Sequence, residues 1–108
     1  NEKLLINKWV DSREEQTEIR GEKIYRPSDY KKFPPSRYRQ VFDLQKGGDC
    51  VYLKQNPTDM HSMEQGKWVY NPESKLITIS DSEGNSIFFL TVIELQKDKL
   101  LLSLNQNP

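Results

Sequence analysis

From residue 37 to residue 104 the chain alternates apolar and polar positions with a period of two, broken at short intervals by turn residues. Over 37–44, Tyr38, Gln40, Phe42 and Leu44 share one face, while Arg37, Arg39 and Asp43 point the other way with Val41. That is the pattern of a half-buried strand. Lys46-Gly47-Gly48-Asp49 follows, two glycines suited to a tight hairpin turn in which φ is positive. The return strand, 50–55, sets Cys50 and Tyr52 against Val51 and Leu53, and residues 56–62 read as a loop from their turn residues. A strand over 65–70 carries Gly66, Trp68 and Tyr70 on one face, with Lys67 and Val69 opposite. Pro72 pre-sets the turn at 71–75, a strand returns over 76–80, and 81–85 is the next turn. Residues 87–95 are nearly continuously apolar, which predicts a strand covered on both faces. Lys97-Asp98 leads to a last strand over 100–104. Turns this short leave no room for crossover helices, so the pattern predicts an antiparallel meander.

The first third is less regular. Residues 4–11 suit one helical turn before a strand centred on Trp9 and Val10, and 19–25 reads as another strand, disturbed near Gly21-Glu22. With these two the count reaches eight. Eight is the number at which an up-and-down sheet closes around side chains or one small ligand. The expected fold is therefore all-β, an eight-stranded antiparallel up-and-down barrel, closed or partly open, spanning 1–108 as a single domain. Residues 26–36 hold three prolines and predict a long basic loop, of the kind that often carries function. If that loop caps the barrel, Tyr30 and Phe33 are its plugs.

Composition sharpens this picture at one point. The 108 residues include no alanine, the best helix former, beside eleven leucines, seven isoleucines and eleven aromatics. This argues against an all-α domain, and apart from Cys50 every apolar position is a branched, aromatic or long side chain. Such bulk favours a filled interior, although an aromatic lumen with polar tips remains the alternative.

Charge tells more by its distribution than by its sum. Sixteen basic and sixteen acidic side chains cancel, giving no overall attraction to nucleic acid or an anionic membrane. Residues 20–39, however, carry seven basic groups (Arg20, Lys23, Arg26, Lys31, Lys32, Arg37, Arg39) against Glu22 and Asp29. Interleaved with Tyr25, Tyr30, Phe33 and Tyr38, they form a candidate anion or partner contact through Arg26, Arg37 and Arg39. The longest apolar run falls far short of a membrane helix. Asn1-Glu2-Lys3 is polar, and no signal peptide is visible.

Catalytic chemistry finds little support. His61 is the sole histidine, no spacing suggests a metal site, and Asp59, His61 and Ser62 lie too close in sequence to form a triad by default. Cys50 is the only cysteine, so no internal disulfide forms, and its place in an alternating strand fits a small hydrophobe. No enzyme, cofactor or metal is expected. The candidate ligand-binding residues are the aromatics predicted to face the lumen and its mouth: Tyr38, Phe42, Tyr52, Trp68 and Tyr70.

Tyr25-Arg26-Pro27 and Phe33-Pro34-Pro35-Ser36-Arg37, followed by Gln40-Val41-Phe42-Asp43-Leu44, Gly47-Gly48-Asp49, Pro57-Thr58-Asp59 and Gly66-Lys67-Trp68, resemble a family of small bacterial lipocalin-like proteins. The resemblance covers roughly residues 8–104. It implies a calycin-type barrel in an exported or lipid-anchored protein of largely unassigned function. Asn7 stands where lipocalins proper carry the glycine of Gly-x-Trp, and the last strand lacks their arginine. The expected function is a non-enzymatic binding module for a small amphipathic or anionic ligand at the barrel end. The alternative is a protein-interaction or inhibitor-like barrel acting through loops 26–36 and 56–64.

Overall fold

A hydrogen-bonded sheet of eight strands closes on itself with the cyclic order β1-β2-β8-β7-β6-β5-β4-β3. The computed structural model describes residues 2–12, 15, 21–30, 39–55 and 61–106. Among them are one short helix, α1 (Glu2–Leu5), and the strands β1 (Asn7–Asp11), β2 (Glu22–Pro27), β3 (Val41–Leu44), β4 (Asp49–Gln55), β5 (His61–Asn71), β6 (Leu76–Asp81), β7 (Ser86–Gln96) and β8 (Lys99–Gln106). The expected eight-stranded antiparallel barrel is the fold, and it is closed.

Sequential pairing runs from β3 to β8, where the connections are short. It fails at one place. β1 lies between β2 and β3 and is antiparallel to both, Trp9 standing opposite Pro27 on one side and Phe42 on the other. β2 therefore pairs with β8, and β2 and β3 flank β1 instead of pairing with each other. Alternation identifies strands but not their neighbours, and the long connections on either side of β2 leave both orders open.

Alternation places the core. Phe42, Leu44, Cys50, Tyr52, Trp68, Ile77, Ile79, Phe88, Leu90, Leu100 and Leu102 are buried on the inner face, joined by Trp9 and Tyr25. β7 departs from expectation: Phe88, Leu90 and Val92 are buried, but Thr91 and Ile93 are exposed and Phe89 is half-buried. Its outer face is therefore open at Thr91 and Ile93 and only partly covered at Phe89. His61 and Ser62, expected in a loop, open β5, because its ladder with β4 continues to the pair Gln55–His61.

One barrel end is capped from within the chain. Leu5 of α1 is buried, and its carbonyl accepts the Trp9 indole Nε1–H at 2.9 Å. The helix also reaches β7, far around the barrel from β1. It thus lies across the opening, and the buried indole has its hydrogen-bond partner.

The interior is occupied where β3 faces β7. Phe42 on β3 and Phe88 on β7 come from strands four places apart around an eight-stranded ring, yet their ring centroids are 5.2 Å apart in an edge-to-face contact. Tyr25 packs on Phe42 at 5.7 Å, and Tyr52 on Phe88 at 5.6 Å. Rings meeting from opposite walls leave no lumen at this level.

Candidate functional site

The candidate site residues form three groups, two of them predicted from the sequence and one that only the structure brings together. Phe42, Tyr52 and Trp68 point inward as expected, but they are part of the packed core, and half-buried Tyr70 packs against it. Phe42 and Tyr52 each meet the Phe88 ring, which closes the interior at that level. Tyr38 and Arg37 lie outside the described residues, as do Phe33 and most of loops 26–36 and 56–64.

Arg26 and Arg39 form the second group, and both hold the chain to itself. Arg26 belongs to β2, not to a loop. Its Nε and Nη2 donate to the two carboxylate oxygens of Glu15 at 2.9 and 2.6 Å, and Nη1 donates to the Asp98 carbonyl at 3.0 Å. The guanidinium carbon lies 4.5 Å from the centre of the Tyr30 ring. Hydrogen bonding to Glu15 raises the guanidinium pKa further, against the opposing effect of burial. Arg26 is therefore a staple joining the β1–β2 connection, β2 and the β7–β8 turn; its charge is already matched by Glu15. Tyr30 is exposed and stacks on this arginine instead of plugging the barrel. Arg39 donates to the Asp11 carbonyl at 2.7 Å, tying the entry of β3 to the end of β1.

The third group was not singled out from sequence. A half-open cleft of about 610 Å³ lies where β4, β5 and β6 meet, lined by Gln45, Asp49, Cys50, Val51, Gln65, Gly66, Lys67, Ser80, Asp81, Ser82 and Gly84. Three cross-strand rows build it: Val51–Gln65, Cys50–Gly66–Asp81 and Asp49–Lys67–Ser80. β5 pairs with β4 up to Lys67 and with β6 from Gly66 onward, so it changes partner at the centre of the cleft. Gly66 permits this crossing. A Cβ there would overlap the Ser80 carbonyl oxygen and stand 3.1 Å from the Tyr52 ring. A glycine inside a strand marks such a close backbone approach.

Two turns close the cleft. In the β3–β4 turn, Gly47 and Gly48 adopt φ of +88° and +89°, which glycine takes without strain. This turn folds over Trp68, whose backbone N–H donates to Gly48 O and whose indole Nε1–H donates to Gln45 O, both at 2.8 Å. In the β6–β7 turn, Asp81 Oδ1 accepts the backbone N–H groups of Glu83 and Asn85, each at 2.9 Å, and Oδ2 accepts the Asn85 amide at 3.3 Å. The Asn85 backbone bond leads the effects that lower the Asp81 pKa below the usual carboxylate value, so this carboxylate is ionised at neutral pH.

The Lys67 ammonium pairs with Asp49 across the outer face, both side chains more than half exposed. Cys50 lies beneath. Burial above all, then the charges of Asp43 and Asp49, pushes its thiol up to about 11. A thiol so held is protonated at neutral pH and is no nucleophile there. Among the described residues no group of three or more His, Cys, Asp or Glu side chains is placed to hold a metal ion. Nor is any described helix long and apolar enough to cross a membrane.

The turn glycines and Gly66 were visible in the sequence, but alternation reads Gly66 only as one more inward position. No family model, curated protein or solved structure matches the chain.

Proposed function

We propose that the protein is a non-enzymatic binding barrel of lipocalin-like type that takes a small polar ligand in the cleft at Gly66, outside its filled interior. The observation that carries this reading is the cleft itself. Its volume of about 610 Å³ falls in the usual range for small-molecule sites, and charged, hydroxyl and amide side chains converge on it. The Phe42–Phe88 contact argues against the lumen as the alternative compartment. The protonated Cys50 argues for binding over nucleophilic chemistry at neutral pH. Closure with eight strands and a first-strand tryptophan at the helix-capped end support the lipocalin-like reading.

Val51→Trp fills the cleft from its outer wall and provides the test. Small polar molecules that bind the wild-type protein, detected by saturation-transfer NMR, are expected to lose binding in the variant while its fold is retained by circular dichroism. Binding unchanged by Val51→Trp overturns the assignment to the cleft.

One observation favours a protein-interaction barrel instead. The outward side chains of β6 and β7 include Leu76, Thr78, Phe89 and Thr91, with no charge among these four, and Val69 beside them is 67% exposed. In a chain with 30% charged residues this is an unusual face. A partner covering it would leave the cleft open, so Val51→Trp would not disturb that interaction.

A further inference from the structure

We propose that the cleft selects organic cations, primary amines above all, and that Lys67 is its built-in competitor, holding in the free protein the Asp49 carboxylate that a ligand ammonium would take. This inference rests on the cleft being the ligand site and names the chemistry of what enters it.

Charge inventory is the first argument. The ionisable walls are Asp49, Asp81 and Lys67, with Cys50 protonated beneath them, so the lining is negative by one unit. The surrounding groups reinforce that sign. Asp43 and Asp49 oppose ionisation of Cys50, and Asp81 and Glu64 oppose ionisation of Tyr52, both after the larger effect of burial; on Cys50, Lys67 acts in the opposite direction. Two neighbouring groups thus sense a negative field at this corner, in a molecule whose overall net charge is zero.

The second argument concerns what each class of ligand must displace. An anion has only Lys67 to bind among these walls. Taking it from Asp49 leaves Asp49 and Asp81 as carboxylates around a bound negative charge. A cation faces the reverse situation. It takes the place of Lys67 on Asp49, and the freed ammonium, on a side chain already 67% exposed, turns into water. An exposed ion pair of this kind is weak, so displacing it lowers affinity by less than about tenfold.

Hydrogen bonding completes the match. A primary ammonium carries three donors and needs acceptors around it. Asp49, the Ser80 and Ser82 hydroxyls and the Gln45 and Gln65 amide oxygens supply them. Asp81 adds another: Oδ1 accepts two protein hydrogen bonds but Oδ2 accepts one, so an acceptor position remains on Oδ2. No aromatic ring is among the lining residues, so a sugar or a base finds no stacking platform here.

A matched set of four-carbon probes tests the inference: 1,4-diaminobutane, 1,4-butanediol and succinate, titrated at low salt into the intact protein and followed by backbone amide shifts. The diamine is expected to move the amides of Gly66, Lys67, Ser82 and Gly84 saturably, with the diol and succinate weaker. Asp49→Asn and Asp81→Asn, which keep an acceptor oxygen but remove the charge, should each weaken diamine binding by about fivefold. Lys67→Gln should tighten it by up to about tenfold, an effect that damage to the fold would not produce. If the diol or succinate moves the cleft amides as strongly as the diamine, charge selection is wrong but the cleft remains a ligand site. If none of the three moves them, or the diamine shifts scatter over surface carboxylates without preference, both readings fail. Weaker diamine binding in Lys67→Gln overturns the competitor role.

Discussion

Cys50 and Arg26 show how neighbours decide what a reactive or charged side chain can do. Cys50 sits on the inner face of β4 beside the closely packed Gly66, and burial keeps its thiol neutral. Its folded pKa of about 11 lies above the unfolded value of about 8.5. The fold therefore favours the protonated form. That contribution to stability is complete below the unfolded pKa and is lost as pH rises through the folded one. The same shift predicts slow chemistry. At pH 8 iodoacetamide should alkylate the native protein at least about a hundredfold more slowly than the urea-unfolded chain, from thiolate fraction alone. Mass spectrometry of timed samples measures this, and native and unfolded rates within tenfold would contradict the buried neutral thiol. Arg26 teaches the same lesson for charge. In sequence it stands in a basic stretch open to an anion, but Glu15, eleven residues earlier, reaches back to neutralise it. Partners that distant along the chain leave no local pattern to read.

At the scale of elements, period-two alternation identified β3 through β8, because each strand has one buried face and short turns fix its neighbour. The starts differ at two of them, β3 beginning at Val41 instead of residue 37 and β5 at His61 instead of residue 65. Alternation was blind to two features. It could not order β1 and β2, whose pairing is set by contacts across long connections, and it expected partners on both faces of β7 where only the inner face is packed. The cleft lies beyond alternation for a third reason. It forms because β5 exchanges β4 for β6 at a residue without a side chain, a property of three strands at once. Gly66→Ala should therefore be costly, since the neighbour that must yield is the backbone carbonyl of Ser80. We expect a loss of about 1–3 kcal/mol in urea unfolding. Gly84→Ala is the control: no atom stands within 4 Å of its Cβ position, so only the strain of positive φ remains, about 1 kcal/mol. Equal losses at the two positions would show that the close approach at Gly66 is not what its lack of a side chain serves.

The whole molecule joins a barrel whose rings meet across its interior to a cleft in its wall. Filling was legible in composition: without alanine the inward positions carry mostly bulky side chains, and their rings meet across the interior. The polarity of residues 20–39 did not carry through to a basic site among the described residues, because Arg26 is matched by Glu15 and Arg39 binds a backbone carbonyl. What remains is a neutral molecule with a locally negative cleft and an uncharged face on β6 and β7. All of this depends on the barrel being closed and solid, since an open lumen would return Phe42, Tyr52 and Trp68 to the role of ligand contacts. The most direct measurement is a nuclear Overhauser spectrum of the protein with labelled phenylalanine rings. Strong cross-ring effects between Phe42 and Phe88, residues on strands that share no hydrogen bond, are the predicted result. Their absence in the folded protein would contradict the filled interior and with it the case for a ligand site outside the barrel.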